Sequence, residues 1–271
     1  MIYEIERPCA TDLAKKCRYP EAVAVISGNN PGWVFGDDRR APQAALVYAQ
    51  GIEGFYLVGD KRKTAFLDTL DAHIDQVLAP RLRDLGVDWL EICGDNGWDP
   101  LIVSALGKRD PHISKQFVYT RTPGELKPLP RLEAAGGSTL LRVGPQILGD
   151  LSVRNRDFLL AKLVLFWGDV AAFVHTGFGY VLMESDAIAS LCFSAFVAGN
   201  IHAIDIETIQ EHRGKGYGET VARAFLAECA KTQRKPYWDC MAENTPSAGL
   251  AEKLGLTRSY VYTLYSFKLK P

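Results

Sequence analysis

The stretch HRGKGYGET, residues 212–220, sets three glycines and two long cationic side chains directly before a run with helical periodicity. The preceding segment, residues 200–209, alternates as a β-strand does, and residues 219–232 repeat apolar side chains at helical spacing. The start of a helix leaves backbone N–H groups without intrahelical partners and carries partial positive charge. Glycines let those groups converge on an anion, and Arg213 and Lys215 add charge. The stretch predicts a phosphate cradle, with a glycine turn that merely begins a helix as the alternative.

The spacing of these glycines fits neither the P-loop nor the dinucleotide fingerprint. Arg213-x-x-Gly216-x-Gly218 instead resembles the acyl-coenzyme A motif of the GNAT superfamily, the Gcn5-related N-acetyltransferases. A second segment, residues 244–256, is similar to the next motif of that superfamily; the matching residues are Asn244, Ser247, Leu250, Leu254 and Gly255. The resemblance covers about residues 157–271. It extends more loosely to a bacterial subgroup with an extra N-terminal portion, near the zwittermicin-resistance type.

The resemblance implies an α/β (α+β) fold, in which helices flank a mixed, mostly antiparallel sheet. We predict a GNAT acetyltransferase domain over residues 138–271, a linker rich in proline and glycine over residues 126–137, and an N-terminal α/β domain over residues 1–125. Because DWLEICGD (88–95) mirrors PYWDCMAE (236–243), the N-terminal domain is interpreted as a degenerate GNAT-like copy. A coincidence between two common α/β patterns is the alternative.

Periodicity and breakers predict the individual elements. In the second half we expect one helix over 157–175, strands over 179–185, 187–198 and 200–209, a helix over 219–232, a strand over 236–241, a helix over 246–255 and a last strand over 258–269. In the first half we expect strands within 32–38, 44–51 and 54–60, a helix over 65–86 that bends near Pro80, and a strand over 88–95.

Acetyl-CoA is the cosubstrate that the resemblance implies. The pantetheine arm would lie along the strand before the glycines, and the diphosphate would lie on the glycine-rich loop. The residues implied in acetyl-CoA binding are Ile206, Glu207, Thr208, Arg213, Gly214, Lys215, Gly216, Tyr217, Gly218, Glu219, Asn244 and Ser247. The cations of DKRKT (60–64) come without Gly-x-Gly, so we expect no second cofactor site there.

The catalytic base is less clearly marked than the cradle. The family often places a glutamate eleven residues before the motif arginine, and that position holds His202, which could serve because histidine titrates near neutrality. Glu207 and Asp205 compete for the role, and strand alternation puts both acids on the face opposite His202. We take Glu207 as the first choice because it lies nearest the cofactor motif.

The catalytic acid has no residue at its usual place. In the family a tyrosine of the second motif protonates the leaving thiolate, but Ala251 occupies that position here. We expect Tyr262 to substitute, with Tyr260, Tyr265 or water as alternatives. The departure also motivates a different function, a sensor that binds acyl-CoA without turnover. The preferred function is an N-acetyltransferase that acts on the amine of a small molecule, amino acid or peptide.

Composition narrows the partners and the location. A formal net charge of -1 argues against nucleic acid and anionic membranes as partners. The six cysteines show no metal-ligand spacing and no leader segment precedes them, so we expect no bound metal and reduced thiols in a cytoplasmic protein. We expect a monomer or a homodimer.

Overall fold

The computed structural model describes residues 1–95, 97–122, 124 and 137–270. These residues form two compact units. The N-terminal unit comprises Met1–Gln116 together with the chain from Tyr262 onward, and the second unit comprises Phe117–Val261. Residues 126–136 of the predicted linker lie outside the described residues, so the predicted boundary stays a prediction.

The N-terminal unit is a sheet covered by short helices. Its strands are β1 (Tyr3–Glu4), β2 (Gly32–Gly36), β3 (Ala44–Ala49), β4 (Gly54–Gly59) and β5 (Trp89–Gly94). Its helices are α1 (Thr11–Ala14), α2 (Pro20–Ile26), α3 (Thr64–Leu67), α4 (Leu70–His73), α5 (Ala79–Asp84) and α6 (Asp99–Leu106). The strand β6 (His112–Thr120) begins in this unit and ends in the second.

Strand pairing in this unit is antiparallel except between β4 and β5. The strands β1 to β4 pair antiparallel in chain order, and β4 then pairs parallel with β5. Every residue of β3 is buried, as expected for a strand with both faces covered. The core is built from large side chains of the strands and of the helical region, including Phe35, Tyr48, Ile74 and Trp98.

The predicted helix over 65–86 is interrupted in the structure. After α3 and α4 the chain makes a wide helical turn, Ile74–Leu78, and continues as α5. Pro80 stands in the first turn of α5. Because proline has no N–H and its ring clashes with the carbonyl four residues earlier, a regular helix cannot continue through it. The wide turn immediately before Pro80 accommodates the proline while the backbone stays helical at Leu78 and Ala79, and the predicted bend stays a prediction.

The second unit has the architecture that the resemblance implied. Its strands are the end of β6, β7 (Ser138–Arg142), β8 (Gly179–Glu184), β9 (Ala187–Ala198), β10 (Ile201–Thr208), β11 (Lys235–Met241) and the beginning of β12 (Thr257–Lys268). Its helices are α7 (Pro145–Gly149), α8 (Arg156–Trp167), α9 (Val170–Thr176), α10 (Tyr217–Lys231) and α11 (Thr245–Lys253). The strands β7 to β10 pair antiparallel in chain order, and β10 pairs parallel with β11. The predicted mixed, mostly antiparallel sheet with flanking helices is confirmed.

One helix prediction for this unit is wrong. The single helix expected over 157–175 is two helices, α8 and α9, with a bend of 75° between them. Gly168, at φ +79°, ends α8 in a left-handed conformation that glycine adopts easily. Asp169 then caps α9 by accepting a hydrogen bond from Ala172 N at 2.7 Å. Among the described residues no single helix meets the length and hydropathy needed to cross a bilayer; this bent pair meets them only when joined.

The core of the second unit lies between α10, α11 and one face of the sheet. Phe178 stacks on Phe225 of α10, with ring centroids 4.4 Å apart. Val221 of α10 and Trp238 of β11 are buried in the same cluster. This packing fixes the beginning of α10 against the end of β10, which is where the glycine-rich stretch lies.

The last strand, β12, divides between the units. Its residues from Tyr262 onward belong to the N-terminal unit, where Tyr265 to Lys268 pair antiparallel with β5. Tyr265, Phe267 and Leu269 are buried in the core of that unit. The N-terminal unit is therefore completed by the C-terminal end of the chain.

Candidate functional site

The strands β10 and β11 separate after a short stretch of pairing. They pair only through Ile201 with Lys235, His202 with Pro236 and Ala203 with Tyr237. From Ile204 to Thr208, β10 continues to pair with β9 on its other side. The β9 register shifts opposite Ala203 and Ile204, and such an irregularity increases local twist. The β11-facing backbone groups of β10 beyond Ala203 can therefore pair with an extended ligand.

The two faces of this open stretch differ in chemistry. Ile204 and Ile206 pack against the hydrophobic core beneath α10. Asp205 and Glu207 face α8, where Lys162 Nζ lies 3.5 Å from Asp205 Oδ2 and 2.8 Å from Glu207 Oε2. Burial raises the pKa of Asp205, and the charge of Lys162 acts in the opposite direction. These contacts follow the alternation predicted from the sequence.

The loop after β10 has the shape of a cradle. Gly214 and Gly216 have φ of +79° and +78°, a region that favours glycine. A Cβ added at either glycine would meet no atom within 4 Å, so the space beside them is open. Gly218 differs, since its Cβ would lie 3.2 Å from Thr208 Oγ1 and its small size allows α10 to approach the strand.

A cavity of about 360 Å³ adjoins the loop. Its lining residues are Thr208, His212, Arg213, Gly214, Gly216, Tyr217, Gly218, Glu219, Gly249, Leu250 and Lys253. Thr220 N donates to Gly216 O at 3.2 Å, and helix geometry leaves the amides before Thr220 without an intrahelical carbonyl. The structure thus brings most of the predicted diphosphate-binding residues around one open cavity beside a helix start.

The charged side chains of the cradle are largely occupied by other protein groups. Arg213 Nε donates to Thr208 O at 3.1 Å, which folds this side chain against the end of β10. Glu219 accepts from Lys253 Nζ at 2.5 Å and from Arg223 Nη2 at 2.7 Å. The hydrogen bond from Lys253 lowers the pKa of Glu219, so this carboxylate at the cavity rim is ionised and neutralised.

Glu184, at the end of β8, was not predicted from the sequence. Its carboxylate accepts from Lys215 Nζ at 2.8 Å and from Tyr217 OH at 2.5 Å, and His212 Nδ1 lies 2.6 Å away. The hydrogen bond from Lys215 lowers the pKa of Glu184 to about 2. Sequence reasoning missed it because 31 residues separate Glu184 from Lys215 and no local motif marks the pairing. Lys162 was missed for the same reason.

Asn244 and Ser247 serve α11 in this structure. Asn244 Oδ1 accepts from Ser247 N at 3.2 Å, which is a helix N-cap. Ser247 Oγ accepts from Trp238 Nε1 at 3.0 Å. Asn244 therefore caps α11 and Ser247 holds it against β11, and the contact of either side chain with a cofactor stays a prediction.

His202 lies in the wrong environment for the predicted base. It is only 2 % exposed, its Nδ1 lies 2.8 Å from Ser194 Oγ, and its ring packs against Phe178. Burial lowers the pKa of His202 to about 4, so the ring is neutral at pH 7. It stands where β10 and β11 are still paired, and on the face opposite Glu207. The structure therefore does not bring His202 and Glu207 together.

The tyrosines considered for the catalytic acid belong to different units. Ala251, at the position of the family's tyrosine, is fully buried in the core of the second unit. Tyr260 belongs to that unit, and its hydroxyl lies 2.9 Å from Tyr237 OH. Tyr262 and Tyr265 belong to the N-terminal unit, where the Tyr262 ring packs edge-on against Tyr19 at 5.3 Å. The acid role of Tyr262 stays a prediction.

Within the described ranges, no group of three or more His, Cys, Asp or Glu side chains is arranged to hold a metal ion. The cysteines there are free thiols, and four of them, Cys93, Cys192, Cys229 and Cys240, are buried. Desolvation raises the pKa of the Cys192 thiol and that of the Cys229 thiol, which keeps both thiols protonated and unreactive.

A mostly antiparallel sheet whose parallel strand pair opens beside a glycine-rich helix start defines a GNAT-type fold. The sequence model of the GNAT acetyltransferase family matches residues 12–265, and the chain belongs to that family. It is 26% identical over 243 residues to an uncharacterized N-acetyltransferase of Bacillus subtilis, YdfB, with 89% of this chain and 88% of that protein covered.

Solved structures share the fold. A GCN5-related N-acetyltransferase-like protein from Streptococcus suis matches with a TM-score of 0.63 and 20% identity, over 97% of this chain and 98% of the other. A tandem GNAT protein from the clavulanic acid biosynthesis pathway matches with a TM-score of 0.65 and 13% identity, over 100% of this chain and 99% of the other. At these identities the likeness concerns the fold, and the tandem protein fits an arrangement of two domains.

Proposed function

We propose that the protein transfers the acetyl group of acetyl-CoA to the amine of a small molecule, an amino acid or a peptide. The observation that carries this proposal is the open stretch of β10 leading directly into the glycine cradle. An extended thiol arm and a diphosphate need these two features in this order. The N-acetyltransferase named among the relatives supports the same reaction class.

The residues present fit coenzyme A. Open space beside Gly214 and Gly216 lets phosphate oxygens approach the backbone, and the early amides of α10 supply donors. The backbone of Ile206 to Thr208 would hold the pantetheine arm as an added strand would be held. Arg213, at the cavity, provides positive charge next to these donors.

Acetyl-CoA supplies an activated acyl thioester, so the protein has to orient the amine and manage two protons. An alkylamine is mostly protonated at neutral pH and needs a base before it can attack. We assign this role to Glu207, whose carboxylate Lys162 holds at 2.8 Å on the open stretch of β10. Strand N–H groups beyond Ala203 can stabilise the developing charge on the carbonyl oxygen. Tyr262 or water would protonate the leaving thiolate.

The remaining assignments belong to the same proposal. We propose a cytoplasmic protein that uses no metal and binds neither nucleic acid nor membranes, in line with its net charge of -1. It would act as a monomer or a homodimer. Within the family, the chain would belong to a bacterial subgroup whose members carry an extra N-terminal portion, near the zwittermicin-resistance type.

A thiol-release assay tests the proposal. Purified protein, acetyl-CoA, a panel of amines and a thiol reagent should give steady release of coenzyme A with at least one amine, and Glu207→Gln should suppress it. Calorimetry with acetyl-CoA alone runs in parallel. Saturable binding without turnover across a broad panel would favour the sensor that the buried Ala251 motivates. Absence of acetyl-CoA binding would remove the proposal altogether.

A further inference from the structure

We propose that Glu184 is a positioning residue of the cofactor loop, whose carboxylate ties the two ends of residues 212–217 into the shape that receives the diphosphate. The identity of the ligand rests on the proposed function. The tie between the strand and the loop is a property of the protein alone.

The contacts of Glu184 reach both ends of the loop. His212, before the glycines, lies 2.6 Å from Oε2. Lys215, between the glycines, donates to both oxygens at 2.8 and 3.0 Å, and Tyr217, at the first position of α10, donates to Oε1 at 2.5 Å. One carboxylate therefore accepts from three residues that bracket Gly214 and Gly216. Hydrogen bonds to an ionised acceptor are short and strong, as these are.

The carboxylate stands on a firm support, whereas the loop has little packing of its own. Glu184 is the last residue of β8, and it is in register with Ser138 of β7 and with Ala187 of β9. Beside Gly214 and Gly216, by contrast, no atom approaches within 4 Å of where a Cβ would be. A loop with two freely rotating glycines loses much conformational entropy when it is fixed. The contacts to Glu184 offset that loss before the ligand arrives.

The carboxylate of Glu184 does not attract the cofactor. The hydrogen bond from Lys215 keeps the pKa of Glu184 at about 2, so it is negatively charged throughout the physiological range. A negative charge beside the cradle repels a diphosphate and also neutralises Lys215, which the sequence had marked as a phosphate contact. Salt and solvent screen repulsion at the surface, whereas the lost hydrogen bonds are direct. We therefore expect geometry to outweigh repulsion.

The first experiment compares acetyl-CoA affinity by calorimetry. Glu184→Gln keeps the shape of the side chain but removes its charge, and it should weaken binding by about tenfold or more, as expected when charge-assisted hydrogen bonds are lost. Asp186→Asn is the matched control, because it removes one negative charge from the same hairpin, where Asp186 pairs with Arg154 away from the loop. The control should bind acetyl-CoA as the unchanged protein does. Equal or tighter binding by Glu184→Gln would overturn the proposal and make Glu184 a mere counter-ion.

The second experiment needs no ligand. Hydrogen exchange of the amides of residues 213–218 should be several-fold faster in Glu184→Gln than in the unchanged protein, while Asp186→Asn leaves it unaltered. Unchanged exchange in Glu184→Gln would refute the tie whether or not acetyl-CoA binds. Faster exchange in a protein that never binds acetyl-CoA would instead keep the tie and refute the proposed function. The two failures are thus distinguishable.

Discussion

In the N-terminal unit β4 stays paired with β5 from Gly54 to Leu57, where β5 reaches its own end at Gly94, whereas in the second unit β10 leaves β11 after Ala203. The two strand pairs occupy the same place in the topology of their units. Each follows three antiparallel strands in chain order, and each is parallel and joined by a helical crossover. The shared pattern supports the internal duplication suggested by the sequence.

The loops that follow the two pairs differ just as clearly. Gly59 ends β4 at φ +94°, and a Cβ there would lie 2.2 Å from Gln43 O, so backbone packs closely against this glycine. Asp60 and Arg62 then pair with each other, Arg62 Nε donating to Asp60 Oδ1 at 2.9 Å. In the second unit Gly214 and Gly216 face open space instead. A cavity of about 880 Å³ also adjoins the first loop, lined by Gly59, Asp60 and Arg62 among others. The two loops therefore differ in how closely backbone approaches their glycines, and both border a cavity.

The largest expected effect on this difference between the loops comes from filling the open space beside Gly216. Gly216→Glu places a side chain in a left-handed position and a negative charge beside the diphosphate, so acetyl-CoA affinity should fall by at least about 100-fold. Calorimetry measures the loss. Gly199→Glu is the control, because Gly199 also has positive φ, +60°, and open surroundings, but precedes the opposite end of β10. Similar affinity in the two variants would contradict the cradle.

A second substitution tests what the open stretch of β10 adds. Glu207→Gln should lower kcat by about 100-fold, the usual contribution of a general base, and leave acetyl-CoA affinity within about threefold. His202→Gln, on the opposite face and in the paired stretch, should change kcat far less. The measurement is steady-state thiol release with an accepted amine from the panel. A larger loss of kcat in His202→Gln would reassign the base.

His202, in the paired stretch of β10, should affect the stability of the protein rather than its activity. His202 has a pKa of about 4 in the folded protein and an ordinary value of 6.5 when unfolded. The unfolded chain therefore binds more protons between these values, so the contribution to stability is complete above pH 6.5 and is lost as the pH falls toward 4. Between pH 7 and pH 5 this loss is about 2 kcal/mol.

Chemical denaturation of the unchanged protein and of His202→Gln at pH 7 and at pH 5 measures this contribution of His202 to stability. The free energy of unfolding should fall more steeply in the unchanged protein, by the stated difference. Parallel pH dependence in the two proteins would show that His202 is not held neutral by the fold.

The smallest expected effect comes from a substitution in the loop after β4, where we expect no acetyl-CoA site. Arg62→Gln, in the loop after β4, should leave acetyl-CoA affinity unchanged within about twofold, since surface ion pairs contribute little. The calorimetric stoichiometry should stay at one acetyl-CoA for each chain. A second binding event that disappears in Arg62→Gln would reveal a working site in the N-terminal unit and erase the difference between the loops.

The cradle could be predicted because its signals are local. Glycine spacing, the preceding strand and the following helix all lie within one continuous stretch, and the contrasting faces of Asp205 and Glu207 follow from strand alternation. The bend between α8 and α9 also had local signals, Gly168 followed by Asp169, which a strong apolar run obscured.

Other features depend on contacts that no local pattern encodes. The burial of His202 requires Ser194 from the neighbouring strand β9 and Phe178 from the segment before β8, and periodicity alone gives only the face of His202. Glu184 and Lys162 reach the site from elements distant in sequence. Tertiary packing therefore decided which titratable groups are ionised and accessible, while the backbone pattern decided where the ligand-sized opening lies.

The division of β12 has a consequence for biosynthesis. A ribosome makes residues 1–116 first, but the strand that pairs with β5 emerges only after the whole second unit has been synthesised. Until then the edge of β5 is unpaired and open to other chains, a known risk for aggregation. Folding of the N-terminal unit should finish only after translation, and a fragment that stops at residue 125 should be poorly soluble unless a peptide covering residues 257–270 is added.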